Sequence, residues 1–231
     1  MCARVTSPAP KNSTEAGLQV LWADAHLLAV CKPAGMPVQP DPGGDPDLLT
    51  AVRTRHPGEA IGLPHRLDRP VSGVVLLART APALAALDRA FRERTVAKTY
   101  LAVVTGAVAG DLHLEHRLVH DARHRRARLA GDGILARIHV HPLHRGDRYT
   151  LVEVVPQGGA FHQIRAQLAA AGHAIKGDVK YGARRGERDR SIALHALRIA
   201  LPHPFTGERL CVEAPLPGTP TWAPWRPASG A

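Results

Sequence analysis

The stretch His65-Arg66-Leu67-Asp68-Arg69-Pro70 brings together side chains whose types and spacing could do chemistry. A carboxylate stands between two arginines, and the apolar run at residues 74–78 follows closely. Such a short apolar run is typical of a fully buried β-strand. We therefore interpret Asp68 as a candidate reacting group at the mouth of a buried strand. The alternative is an aspartate that caps a turn and pairs with a neighbouring arginine, which is ordinary at strand ends.

The charge of the chain points to the kind of partner that such a group would meet. The 231 residues carry a formal net charge of +10. This excess favours a polyanionic partner, with nucleic acid ahead of an anionic membrane. Only 4% of the residues are aromatic, so arginine rather than base stacking would hold an RNA. Together with Asp68, the charge predicts an enzyme that acts on RNA.

Cysteine usage and segment composition indicate the compartment and the domain organisation. The three cysteines are widely spaced and form no CxxC pair, which predicts a reducing, cytoplasmic location. Residues 1–17 have no long apolar run and are expected to be disordered, and no stretch approaches the length of a membrane span. We expect one catalytic domain over residues 18–217, a loose Pro-rich tail over residues 218–231, no membrane partner and a monomeric state.

The elements that must position Asp68 are mostly strands. Helices are predicted from Leu48 to Arg55, after Thr80 as N-cap, and from about Phe161. Strands are predicted at residues 20–22, 26–30, 74–78, 96–104, 136–140, 149–155, 192–201 and 209–214. Because most strands follow one another directly, the pattern predicts an α+β protein with a mixed, largely antiparallel sheet.

A His- and Arg-rich region covers residues 113–128. Its histidines fall at spacings of three and four, which on a helix would place them on one face like zinc ligands; they are His113, His116, His120 and His124. Five nearby arginines oppose a bound dication, and no carboxylate or thiolate pattern completes a site. We therefore expect no metal, although a His-rich metal hydrolase is a rival class. A polar hairpin is preferred, either with a solvated basic face or with one that contacts phosphates.

Six stretches, taken in order, resemble the RluA-type pseudouridine synthases. The stretch at residues 65–73, followed by an apolar strand, resembles the central motif of that family. The other five are Lys32-Pro33-Ala34-Gly35-Met36, Lys98-Thr99-Tyr100-Leu101, Phe161-His162-Gln163-Ile164-Arg165, Gly177-Asp178 with Tyr181-Gly182, and Leu194-His195-Ala196 with His203-Pro204. The resemblance extends from about Leu18 to Pro217. One such motif is weak, but six in order at compatible spacing are specific.

The resemblance implies a pseudouridine synthase fold, with a central sheet flanked by helices and a catalytic cleft. It implies an activity that isomerises specific uridines of structured rRNA or tRNA without a cofactor. Asp68 would be the catalytic carboxylate, and Arg165 would hold it from across the cleft. Tyr100 would stack on the target uracil. A non-catalytic, basic RNA-binding protein on the same fold is the alternative.

The resemblance also implies which residues meet the RNA. Arg66 would occupy the space of the flipped base or contact its phosphate. His65 and Lys98 join it as RNA-binding candidates, although His65 is expected to position the loop rather than to titrate. The lysines at positions 32, 98, 176 and 180 are phosphate candidates that, taken singly, are interpreted as solvated surface.

The sequence departs from the family pattern in two places. Relatives carry a basic residue just after the glycine that precedes the His-Gln helix, whereas Gly158-Gly159-Ala160 has none. Many relatives also have an S4-type RNA-binding domain at the N-terminus. The roughly seventeen residues before the first predicted strand are too few for that domain. We therefore expect RNA choice to rest on the catalytic domain.

Overall fold

A computed structural model describes residues 18–225 of the chain. The chain divides into two compact units. The first unit runs to Lys98 and includes Ala196–Pro215, and the second contains Thr99–His195 and the residues from Leu216 onward. The predicted catalytic domain spans both units. The predicted disorder of residues 1–17 lies outside the described residues.

Within residues 18–225 there are ten strands and three α-helices. The strands are β1 (Gln19–Ala23), β2 (Leu27–Lys32), β3 (Ser72–Ala78), β4 (Ala97–Thr105), β5 (Leu112–Asp121), β6 (Arg126–Leu129), β7 (Ile134–Arg145), β8 (Tyr149–Gln157), β9 (Leu194–Pro202) and β10 (Arg209–Glu213). The helices are α1 (Leu48–Arg55), α2 (Ala81–Arg92) and α3 (Gln163–Ala170). The α+β class is confirmed.

In the first unit, β3 is the central strand. It pairs antiparallel with β2, which pairs with β1, and its other neighbour is β9, to which β10 is joined. All seven residues of β3 are buried, because strands flank it on both edges and α2 packs against it through Ala83 and Leu87. Thr80 caps α2 as predicted, since its hydroxyl accepts a hydrogen bond from Ala83 N at 3.3 Å.

In the second unit, the strand order is β4-β8-β7-β5-β6, and each of these pairs is antiparallel. Helix α3 lies on one face of this sheet. Its Ala166 packs with Leu118 and Ala127 in a small core. The buried amide of Gln167 donates hydrogen bonds to the carbonyls of Leu114, at 3.1 Å, and Ala136, at 3.0 Å. The helix is thus bonded to the backbone of β5 and β7.

The His- and Arg-rich region forms the β5–β6 hairpin, which confirms the preferred interpretation. Alternation along β5 places His116 and His120 on one face and His113 on the opposite face, so the helical face of histidines does not form. Among residues 18–225, no group of three His, Cys, Asp or Glu side chains is arranged to hold a metal ion.

Part of the segment expected to be a loose tail is ordered. Residues Ala223–Trp225 form a 3-10 turn, Trp222 is 3% exposed, and its ring meets that of His195 edge-on. The apolar gain from burying an indole outweighs the proline content that suggested looseness. Residues 226–231 lie outside the described part. None of the helices between residues 18 and 225 is long and apolar enough to span a membrane.

Candidate active site

The loop that carries Asp68 is hydrogen-bonded to the loop that follows β2. The amide of Gly35 donates to the carbonyl of Arg69 at 2.8 Å, and Nε of Arg69 donates back to the carbonyl of Gly35 at 2.9 Å. The Arg69 guanidinium also pairs with the carboxylates of Asp41 and Asp45. Arg69 therefore holds two loops together beside the half-buried Asp68, which is a structural role.

Lys32 ends β2 and is fully buried, so its interpretation as solvated surface or a phosphate contact is wrong. Its Nζ donates to the carbonyls of Pro33 (2.8 Å), Met36 (2.8 Å) and Arg69 (3.2 Å). Burial lowers the pKa of Lys32 to about 7, while nearby Asp68 favours the charged form. Three carbonyl acceptors also match the three N–H donors of an ammonium group. Lys32 thus ties the Asp68 loop to the strand beside it.

His65 fixes the other end of the Asp68 loop. Its Nε2 accepts a hydrogen bond from the amide of Leu76 at 2.9 Å, and its ring stacks on Phe91 with 4.8 Å between centroids. Burial, helped by the positive charge of Lys98, lowers the pKa of His65 to about 3. A neutral ring that accepts at Nε2 carries its proton on Nδ1. These contacts fit the loop-positioning role expected of His65, and both that role and its contact with RNA stay predictions.

Gly73 lets β3 approach β9 closely just after the Asp68 loop. Its φ of +123° is one that L side chains rarely adopt, and an added Cβ would lie 2.2 Å from the carbonyl oxygen of Ala196. Only a residue without a side chain fits there. The last residue of the central motif is therefore dictated by strand packing rather than by chemistry.

The remaining candidates from the first half of the chain differ in exposure. Arg66 is exposed, which suits a residue that would meet RNA. Lys98 and Tyr100 are half-buried near the start of β4, where Tyr100 lies opposite Val154 of β8. Burial lowers the pKa of Lys98. Because its ammonium group is partly removed from water, Lys98 is only partly the solvated lysine that was expected.

Arg165 is buried in the first turn of α3, a position where the helix dipole disfavours a cation. A compensating partner that the sequence did not predict lies in the same unit: Asp178, which is 1% exposed. Nε and one terminal nitrogen of Arg165 donate to the two carboxylate oxygens of Asp178 at 2.7 and 2.8 Å. Such a two-pronged ion pair fixes the plane of the guanidinium. The pairing of Arg165 with Asp68 stays a prediction, as does the convergence of both with Tyr100.

Sequence reasoning assigned no role to Asp178, His162 or Tyr181. The other terminal nitrogen of Arg165 lies 3.0 Å from Nε2 of His162, and Nδ1 of His162 lies 2.9 Å from the hydroxyl of Tyr181. The signal in the sequence that could have found Asp178 and Tyr181 was their three-residue spacing in a loop bounded by glycines. The amide of Ala160 donates a hydrogen bond to the side-chain oxygen of Gln163 at 3.0 Å.

Comparisons with known proteins identify the family. The family model described as RNA pseudouridylate synthase matches residues 26–170. The ribosomal large subunit pseudouridine synthase D of Nitrosomonas europaea is 34% identical over 216 residues, which are 87% of this chain and 62% of that protein. The tRNA pseudouridine synthase C of Salmonella typhi is 33% identical over 87% of this chain and 86% of that protein.

A solved structure agrees with these relatives. The structure of human RNA pseudouridylate synthase domain containing 1 matches with a TM-score of 0.75 and 26% identity, over 88% of this chain and 85% of that one. The chain belongs to the RNA pseudouridylate synthase family, and the RluA-type resemblance is confirmed. It spans about six tenths of the length of the first curated relatives that it matches, at 62% and 58% of their length.

Proposed function

We propose that this protein is an RNA pseudouridine synthase that isomerises specific uridines in structured rRNA or tRNA. The observation that carries the proposal is the placement of Asp68. It lies half-buried on a loop that Lys32, His65 and Arg69 hold against the buried strand β3. A reacting carboxylate needs such a fixed backbone, because small displacements cost large factors in rate.

The reaction breaks the N1–C1′ bond of a uridine, turns the uracil and joins it to the sugar through C5. It needs no redox partner and no group donor. The Asp68 carboxylate would act as a nucleophile or a base toward the nucleoside. Arg165 would orient that carboxylate, and Tyr100 would stack on the uracil. Arg66 would take the space left by the extruded base.

The β5–β6 hairpin offers a surface for the RNA backbone. Ala127 is buried against α3, so pleat alternation directs Arg126 and Arg128 to the opposite face. Both are exposed, as are Arg123 and Arg125, and among the described residues none of these four side chains forms an ion pair. Four exposed cations within six positions repel one another, although Asp121 lies opposite Arg126 and offsets part of its charge. Phosphates would relieve the remaining repulsion.

Asp68→Asn tests the catalytic claim. The substrate is RNA from cells that lack the gene, labelled with tritium at C5 of uridine, because forming the C5 bond releases that tritium. We expect release to fall by at least about 10³-fold with RNA affinity unchanged. Asp88→Asn, an exposed position on α2, is the matched control and should act as wild type. Wild-type turnover by Asp68→Asn would refute the mechanism. An inactive wild-type protein that binds RNA would favour the non-catalytic alternative.

Arg126→Gln with Arg128→Gln tests the hairpin surface. We expect weaker RNA binding and a dependence of log affinity on log salt that is shallower by about one per lost phosphate contact. The double change Arg89→Gln with Arg92→Gln removes the same charge from exposed positions on α2 and should leave that slope unchanged. If the salt dependence of RNA affinity has the same slope in both double variants, Arg126 and Arg128 do not contact the RNA backbone.

Two further expectations belong to this proposal. A cytoplasmic location is expected, because the three cysteines are widely spaced and form no CxxC pair. A monomeric state is expected, and sedimentation of the purified chain would test it.

A further inference from the structure

A continuous chain of hydrogen bonds runs from Arg165 to the backbone of β6 in the second unit. From Arg165 it passes through His162 to the hydroxyl of Tyr181. That hydroxyl lies 2.6 Å from the amide nitrogen and 3.2 Å from the carbonyl oxygen of Ala127. The chain therefore ends on two backbone atoms, which cannot rotate away as a side chain can.

The donors and acceptors in this chain leave one consistent placement of the protons. A guanidinium only donates, so Nε2 of His162 must accept from Arg165. Its Nδ1 then carries the proton and donates to the hydroxyl of Tyr181. That oxygen also accepts from the amide of Ala127, so the hydroxyl proton is left for the Ala127 carbonyl. Every group in the chain has a partner of the right kind.

Other features support a neutral imidazole at this place. Burial, together with the positive charges of Arg165 and Lys180, lowers the pKa of His162 to about 3, although Asp178 opposes this. The backbone of His162 is in the left-handed region, with φ of 50°. A residue with a side chain rarely adopts that conformation, and where it does so beside a reacting group the strain is often functional.

One turn supplies both restraints on Arg165. Asp178 and Tyr181 begin and end the same 3-10 turn, in which the amide of Tyr181 donates to the carbonyl of Asp178 at 3.0 Å. Asp178 holds one edge of the guanidinium, and Tyr181 acts on the other edge through His162. The ring of Tyr181 also covers the guanidinium, with 5.0 Å between Cζ of Arg165 and the ring centroid.

We propose that His162 and Tyr181 are positioning residues that fix the Arg165 guanidinium for the isomerisation through this proton-ordered chain. The inference rests on the proposed function, in which Arg165 orients the reacting carboxylate. Neither residue needs to touch the uridine. Because the hydrogen-bond chain ends on β6, this one strand would both present Arg126 and Arg128 to the RNA and anchor Arg165.

Tyr181→Phe is the sharpest test, because it removes one hydroxyl and leaves the ring over the guanidinium. We expect the single-turnover rate to fall by about 10-fold or more, since misorientation of a catalytic group costs factors of this size, with RNA affinity within about two-fold of wild type. Tyr149→Phe is the matched control: among the described residues its hydroxyl forms no hydrogen bond, and the rate should not change.

Two variants at His162 separate positioning from general stability. His162→Gln retains an amide oxygen that can accept from Arg165, whereas His162→Phe retains a flat ring and no acceptor. We expect the Gln variant to keep at least about five-fold more single-turnover activity than the Phe variant at equal RNA affinity. Equal rates for the two variants would overturn the proposal.

The tautomer gives a readout that does not depend on activity. Nitrogen-15 NMR of the histidines should show the His162 proton on Nδ1 in the wild type, and a changed Nδ1 signal in Tyr181→Phe but not in Tyr149→Phe. A proton on Nε2 would overturn the inference. Wild-type rate in Tyr181→Phe, with Asp68→Asn inactive, would also overturn it while leaving the proposed function intact. An active Asp68→Asn would count against the proposed function itself.

Discussion

Gly73→Ala should destabilise the protein far more than an ordinary glycine substitution at positive φ. The added Cβ would lie 2.2 Å from the carbonyl oxygen and 2.5 Å from the nitrogen of Ala196. Both are backbone atoms, so no side chain can move aside. Forcing such an overlap in a packed sheet costs about 3 kcal/mol. The positive φ adds about 1–2 kcal/mol.

Gly207→Ala measures the cost of a positive φ without a steric overlap. Gly207 has φ of +72°, and nothing lies within 4 Å of an added Cβ there. That variant should therefore lose only the 1–2 kcal/mol of backbone strain. For a chain of this length 1 kcal/mol corresponds to about 2–4 °C in Tm. We expect Gly73→Ala to melt roughly 6–12 °C below Gly207→Ala when both are followed by circular dichroism.

The comparison can refute the reasoning in a simple way. If the two variants melt within about 2 °C of each other, β3 does not approach Ala196 rigidly. The explanation of Gly73 as a packing requirement would then be wrong.

Three other predictions concern stability. His65 has a folded pKa of about 3, below its unfolded value, so between pH 6.5 and pH 3 the unfolded chain binds a proton that the folded chain does not. The free energy of unfolding therefore falls as the pH falls, by up to about 1.4 kcal/mol per pH unit. In urea titrations the difference in stability between wild type and His65→Gln should shrink from pH 6.5 to pH 4, and a constant difference would contradict the assignment. Asp178→Asn should cost about 3–5 kcal/mol in the same titrations because it removes the charge that faces the buried Arg165, and a loss below about 1 kcal/mol would mean that the ion pair contributes little. Thr80→Ala should cost about 1 kcal/mol through the lost N-cap of α2, whereas Thr80→Ser should be close to neutral.

Local patterns were sufficient for much of the fold. The apolar run before Arg79 defines β3, the Thr80 cap begins α2 where expected, and α1 has its predicted bounds. These features depend on residues that lie near one another in the chain, so propensity and periodicity determine them. The His- and Arg-rich region shows the limit. Spacings of three and four suit a helical face, but pairing with β7 made it a hairpin.

The sequence by itself identified Asp68, Tyr100 and Arg165 as candidates through the order of their motifs. Tertiary structure decided what holds them. Lys32 looked like a surface lysine, yet it is buried because three carbonyls, one of them 37 positions away at Arg69, satisfy its ammonium group. Asp178 became the partner of Arg165 in the same way. The free energy of burying a charge depends on partners that only the folded chain brings within reach, and no local pattern records them.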